Sequence, residues 1–143
     1  MNWKENLLGS DVEIKELLRN TQTIAVVGIK MEAHQPAYYV PKYMQDAGFQ
    51  IVPVPVYYPE ATEILGEKVY RKLTDIPVGI DLVNIFRRSS DVPQHLDDIL
   101  AKKPKAVWMQ SGIYNSEVAE TLAQNGIKVV QNACLMVEHR SLR

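Results

Sequence analysis

Three basic side chains, a glycine-closed turn and one thiol are the groups in this 143-residue chain whose types and places could do chemistry. Residues 23–28 read Thr-Ile-Ala-Val-Val-Gly, an apolar run ending in Gly28. The chain continues through Ile29 and Lys30 to Pro36, Ala37 and Tyr38, where a helical pattern opens. A buried strand that ends in glycine and turns into a helix offers free backbone N–H groups and a positive helix end, which is how open α/β sheets hold phosphate. Arg87 and Arg88 directly follow another apolar run ending at Phe86. Guanidinium groups pair bidentately with phosphate oxygens, and with Lys30 they would neutralise several charges on one ligand. An adjacent arginine pair also reads as solvated loop charge, and their place after a strand end is what favours the site.

The dinucleotide fingerprint is not met. G-x-G-x-x-G needs glycine two and five positions after Gly28, where this chain has Lys30 and Ala33. An NAD site also wants an acid near the end of the second strand to hold the ribose. Val54, Pro55, Val56, Tyr57 and Tyr58 stand there, and the first acid is Glu60. The two tyrosines would flank an adenine or serve as packing residues. Cys134 is the only cysteine, so no internal disulfide forms within one chain and a reducing, cytoplasmic setting is expected. A short helix over 135–140 would place Cys134 at its start, which lowers a thiol pKa; an inert half-buried thiol is the other reading. His34, His95 and His139 are scattered, and five-residue spacing alone does not bring His139 onto Cys134. No metal is expected, since no His, Cys or carboxylate set has ligand spacing, and there is neither a G-x-S-x-G elbow nor a Walker loop.

Five apolar β-type runs must position these groups: 23–27, 50–54, 81–86, 105–109 and 128–130, with 68–70 a very short sixth. Continuous rather than alternating apolarity suits strands buried on both faces of a parallel sheet. Helical patterns lie between them. Ser10-Asp11-Val12-Glu13 is a capping box before Ile14, Leu17 and Leu18, giving a helical segment within residues 1–20. Further helices are predicted over 38–47, closed by Gly48, over 90–102, and from Asn115 or Ser116 to Gly126. Trp3, Leu7 and Leu8 would pack on the domain or on a partner. The expected fold is α/β: a Rossmann-like, doubly wound parallel sheet of five to six strands with helices on both faces, one domain over 1–143. The expected strand order is 3-2-1-4-5-6, with 69–70 as the outer third strand and the crevice at the carboxyl strand ends. Gln110, Ser111 and Gly112 follow the next strand into that crevice. A net charge of −1 argues against nucleic acid as partner, and no apolar run is long enough to span a membrane.

An ordered set of short motifs then points to a family. Val-Val-Gly, Val-Pro-Val, Leu-Gly-Glu-Lys-Val-Tyr, Asp-Leu-Val-Asn-Ile-Phe-Arg-Arg, Val-Trp-Met-Gln-Ser-Gly-Ile and a final Cys with Glu-His four residues on resemble the small stand-alone CoA-binding proteins. These are similar to the CoA-binding Rossmann domain of the succinyl-CoA synthetase α subunit. The resemblance covers about 23–139 and implies coenzyme A or an acyl-CoA as ligand, without catalysis by the protein itself. By position it implies that Gly28, Ile29, Lys30, Pro36, Ala37 and Tyr38 meet the pyrophosphate, and that Val54, Pro55 and Val56 line the nucleoside. Phe86, Arg87 and Arg88 would meet phosphate and adenosine, with Gln110, Ser111 and Gly112 along the pantetheine path. The chain departs from the family's usual Gly-Leu-Ser at Lys30, from Pro-Val-Asn-Pro at Pro55, from Asp-Arg-Cys at Asn132 and Ala133, and from serine at Ala37. Pro41 falls in or just after the first turn of its helix, where proline is tolerated. The alternatives are a redox or acyl carrier using Cys134, an NAD(P) or mononucleotide binder, and an interaction domain with a vestigial site.

Overall fold

The computed structural model describes residues 2–142. Five strands form one parallel sheet: β1 (Thr23–Val27), β2 (Gln50–Val54), β5 (Leu82–Ile85), β6 (Ala106–Met109) and β7 (Lys128–Val130). Their order is β2-β1-β5-β6-β7. The apolar runs are buried along nearly their whole length, and successive residues serve opposite faces. Ile24 and Val26 pack with α1 (Asp11–Arg19), α2 (Pro36–Asp46) and α5 (Leu135–Arg140). Ala25 and Val27 face α3 (Leu96–Lys102) and α4 (Ser116–Gln124) instead. This is the doubly wound, Rossmann-like arrangement. The chain runs outward from β1 to β2 and then returns past β1 to β5. Connections after β1 and β5 therefore diverge, and a crevice opens between them at the carboxyl strand ends.

One expectation about the sheet is corrected. Segment 68–70 is not an outer third strand. Residues 63–68 instead form an antiparallel hairpin, β3 (Glu63–Ile64) and β4 (Glu67–Lys68), around Leu65 and Gly66, both at positive φ. Just after the hairpin, Tyr70 N–H bonds Pro53 O on the edge of β2 at 3.0 Å. Pro53 lacks a donor for further pairing, as suits an edge strand.

The helix signals translate with two changes. The capping box holds, with Ser10 and Glu13 each bonding the other's backbone N–H. Asn115 caps α4 by accepting from Val118 N–H at 3.1 Å. The segment predicted as one helix over 90–102 is a 3-10 stretch, Ser89–His95, followed by α3. Pro93 lies in the middle of that stretch and has no N–H to give an α-helical ladder. The second change is that α2 begins at Pro36, so Pro41 lies inside it rather than in its first turn. At the amino terminus, Leu7 bridges Val129, Leu8 N–H donates to Val129 O at 2.8 Å, and Asn6 Nδ2 donates to Ala123 O at 2.9 Å. Leu7 and Leu8 thereby lie along the outer edge of β7.

Candidate functional site

The turn after β1 is built by close backbone approach. Gly28 has φ +85°, and a Cβ there would run into the carbonyl oxygen of Phe86. Only glycine lets the end of β1 and the start of the loop after β5 lie this near each other. Gly28 N–H bonds Val54 O and Phe86 N–H bonds Val27 O, each at 2.9 Å, so three strand ends are tied at one point. Lys30 N–H then donates to Ala37 O at 3.1 Å. Ala37 is four residues before Pro41, whose ring nitrogen cannot bond that carbonyl. The proline inside α2 thus leaves an acceptor that fastens the loop to the helix.

The loop after β5 holds the basic groups. Arg87 is half-buried: its Nε donates to His95 Nε2 at 3.2 Å, and its terminal nitrogens reach Gln94 Oε1 at 3.4 Å and Asp91 Oδ2 at 3.8 Å. Burial, then the Arg87 charge, hold the His95 imidazole below its ordinary pKa, although Asp98 and Asp91 pull the other way. Neutral His95 with a free Nε2 lone pair is the form this contact requires. Arg88 pairs with the same Asp91 oxygen at 3.0 Å, but its side chain is 84% exposed. Two guanidinium groups sharing one carboxylate leave net positive charge in the loop.

The loop after β2 carries an aromatic rim. Tyr57 is exposed, with Lys30 Nζ 6.0 Å from its ring centroid. Arg71 fixes this loop by donating to the carbonyls of Tyr57, Tyr58 and Ala61 at 3.0, 2.6 and 3.1 Å. Tyr58, at φ +59°, donates its hydroxyl to Glu32 at 2.7 Å and accepts from Met31 N–H at 3.3 Å. Burial, with the Glu32 bond second, raises the Tyr58 pKa. The two loops that flank the mouth are therefore linked to each other.

Between these loops lies a cleft of about 840 Å³ at the carboxyl ends of β1, β5 and β6. Basic side chains (Lys30, Arg87, Arg88) share it with apolar and aromatic ones (Val40, Tyr39, Tyr57, Phe86), and among the described residues Asp91 is the only carboxylate lining it. The family model for the CoA binding domain matches residues 22–140. The chain belongs to that family. It is 38% identical over 130 residues to the uncharacterized protein YneT of Bacillus subtilis, covering 91% of this chain and 94% of that protein. A solved Thermus thermophilus structure, cell-free ID.343, superposes with TM-score 0.87 at 37% identity, over 94% of this chain and all (100%) of that one. An ADP-forming acetate–CoA ligase of Methanocaldococcus jannaschii is 29% identical over 123 residues, which is 85% of this chain but 17% of the ligase.

In this CoA binding domain the predicted site residues fall into two groups. Lys30, Pro36, Ala37, Phe86, Arg87, Arg88, Gln110, Ser111, Gly112 and the thiol residue Cys134 line the cleft together. Gly28, Ile29, Tyr38, Val54, Pro55 and Val56 are not among its lining residues. Ile29, Val54 and Pro55 are buried, and Gly28 acts through backbone geometry. Gln35, Tyr39, Val40 and Asp91 line it as well and are not among the expected site residues; Ile113, next to Gly112 in sequence, also lines it. A helix start at Pro36 puts Tyr39 and Val40 one turn on, over the cleft, and that proline was the available signal. His139 meets Tyr43 Oη at 2.9 Å through Nδ1 and packs edge-on against Phe49. Among the described residues no group of three or more His, Cys, Asp or Glu is placed to hold a metal, and no helix is long and apolar enough to cross a membrane.

Proposed function

We propose that the chain binds coenzyme A or an acyl-CoA in this cleft, as a cytoplasmic ligand-binding protein without catalysis of its own. The observation that carries the reading is the composition and place of the cleft. Lys30, Arg87 and Arg88 gather at the switch point between β1 and β5, beside apolar wall residues, in a chain of the CoA binding domain family. Phosphate groups suit the cations, and a long uncharged arm suits the strip from Val40 and Phe86 to Gly112 and Cys134. The relative that is an acetate–CoA ligase carries the similar segment within a much longer chain.

An NAD(P) ligand fits less well. Val54, Pro55 and Val56 supply no acid for the ribose, and Asp91 is already paired with both arginines. Native mass spectrometry of the protein with equimolar CoA and NADPH separates these readings. A one-to-one CoA adduct that NADPH does not displace is expected; an NADPH adduct in its place would overturn the assignment.

A further inference from the structure

We infer that Gln110 donates from Nε2 to a neutral carbonyl oxygen of the ligand on the floor of the cleft, and that Asn84, which does not line the cleft, positions it. This rests on the reading that the cleft takes coenzyme A or an acyl-CoA. Asn84 and Gln110 are 0% and 4% exposed, Asn84 inside β5 and Gln110 directly after the adjacent β6, in otherwise apolar surroundings. Their amide orientations follow from one fixed donor. Leu135 N–H points to Gln110 at 3.3 Å, so the atom it meets must be the oxygen, Oε1. The Asn84 atom 3.3 Å from that oxygen must then be Nδ2, which also lies 3.4 Å from Trp108 O.

Two consequences follow. Gln110 Oε1 is taken by two donors, while Nε2 has no hydrogen-bond partner among the described residues, on a side chain that lines the cleft. Nε2 opens into the cleft from a side chain that is otherwise buried, and among the acceptors of a CoA ligand the amide or thioester carbonyls of its uncharged arm are the ones away from the basic loop. The second consequence is that Asn84 Oδ1 is buried with no partner at all. An apolar residue would avoid that cost, as Leu82, Val83 and Ile85 do on the same strand. What Asn84 supplies is its Nδ2, which holds Gln110 with Oε1 inward and Nε2 toward the ligand.

The test is calorimetric titration of the full chain and of Asn84→Val and Gln110→Leu with two ligands, beside thermal melts. The ligands are CoA and adenosine 3′,5′-bisphosphate, which lacks the carbonyl-bearing arm. Both variants are expected to bind CoA about threefold to tenfold more weakly and the bisphosphate as the parent does. Asn84→Val is expected to melt at or above the parent. Unchanged CoA affinity, or equal weakening of both ligands, would overturn the inference, as would a lower melting point of Asn84→Val. If the parent binds neither ligand, the CoA reading of the cleft falls instead.

Discussion

A single hydrogen at Gly28 decides how near β1 can lie to the loop that carries Arg87. A methyl group there meets Phe86 O, a backbone atom that cannot turn aside, and φ +85° adds strain for any L side chain. Gly28→Ala is therefore expected to lose about 2 kcal/mol or more of stability, measured by chemical denaturation; a loss below a few tenths would contradict the close approach. His95 makes a second residue-scale prediction. Its folded pKa lies below the unfolded value of about 6.5, because burial and Arg87 oppose its charge. The unfolded chain thus binds the proton first as pH falls, and stability contributed by neutral His95 is complete above about pH 6.5 and lost below it. The melting temperature should drop on going from pH 7.5 to 5.5, and drop less in His95→Gln. An equal drop in both proteins would remove His95 from the account.

At the scale of elements, α2 shows how a local rule can be broken to good effect. Proline inside a helix forfeits a backbone bond, yet here the freed Ala37 carbonyl takes Lys30 N–H. Pro41→Ala would add a competing donor one turn along. The Lys30 amide is then expected to exchange hydrogen faster while α2 itself becomes more protected; unchanged exchange at Lys30 would show the fastening to be independent of Pro41. From sequence, a helix starting near Tyr38 puts Pro41 in or just after its first turn. Pro36 at the first helical position was the better start signal. In the same way Pro93 splits the segment before α3 into a 3-10 stretch, and that stretch places Asp91, Gln94 and His95 around Arg87. None of those contacts follows from spacing until the 3-10 geometry is known.

For the molecule as a whole, the five long strands were legible because each is apolar on both faces, a pattern that only a sheet covered on both sides satisfies. The outer third strand was misplaced because Val69 and Tyr70 are apolar and near β2 in sequence, while Pro53 marks β2 as an edge. The basic residues of the cleft were legible as strand-end residues. Gln110 was legible in the same way, but its partner Asn84 was not, although an asparagine inside a wholly buried strand is itself a signal. With the strand order reversing at β1, the cations and the buried amide converge on one crevice, and the central claim is that CoA occupies it. Isothermal titration of the purified protein with CoA and with dephospho-CoA tests this most directly. Saturable one-to-one binding of CoA is predicted, weakened by added salt and by loss of the 3′-phosphate. No binding of either ligand at millimolar concentration would contradict it.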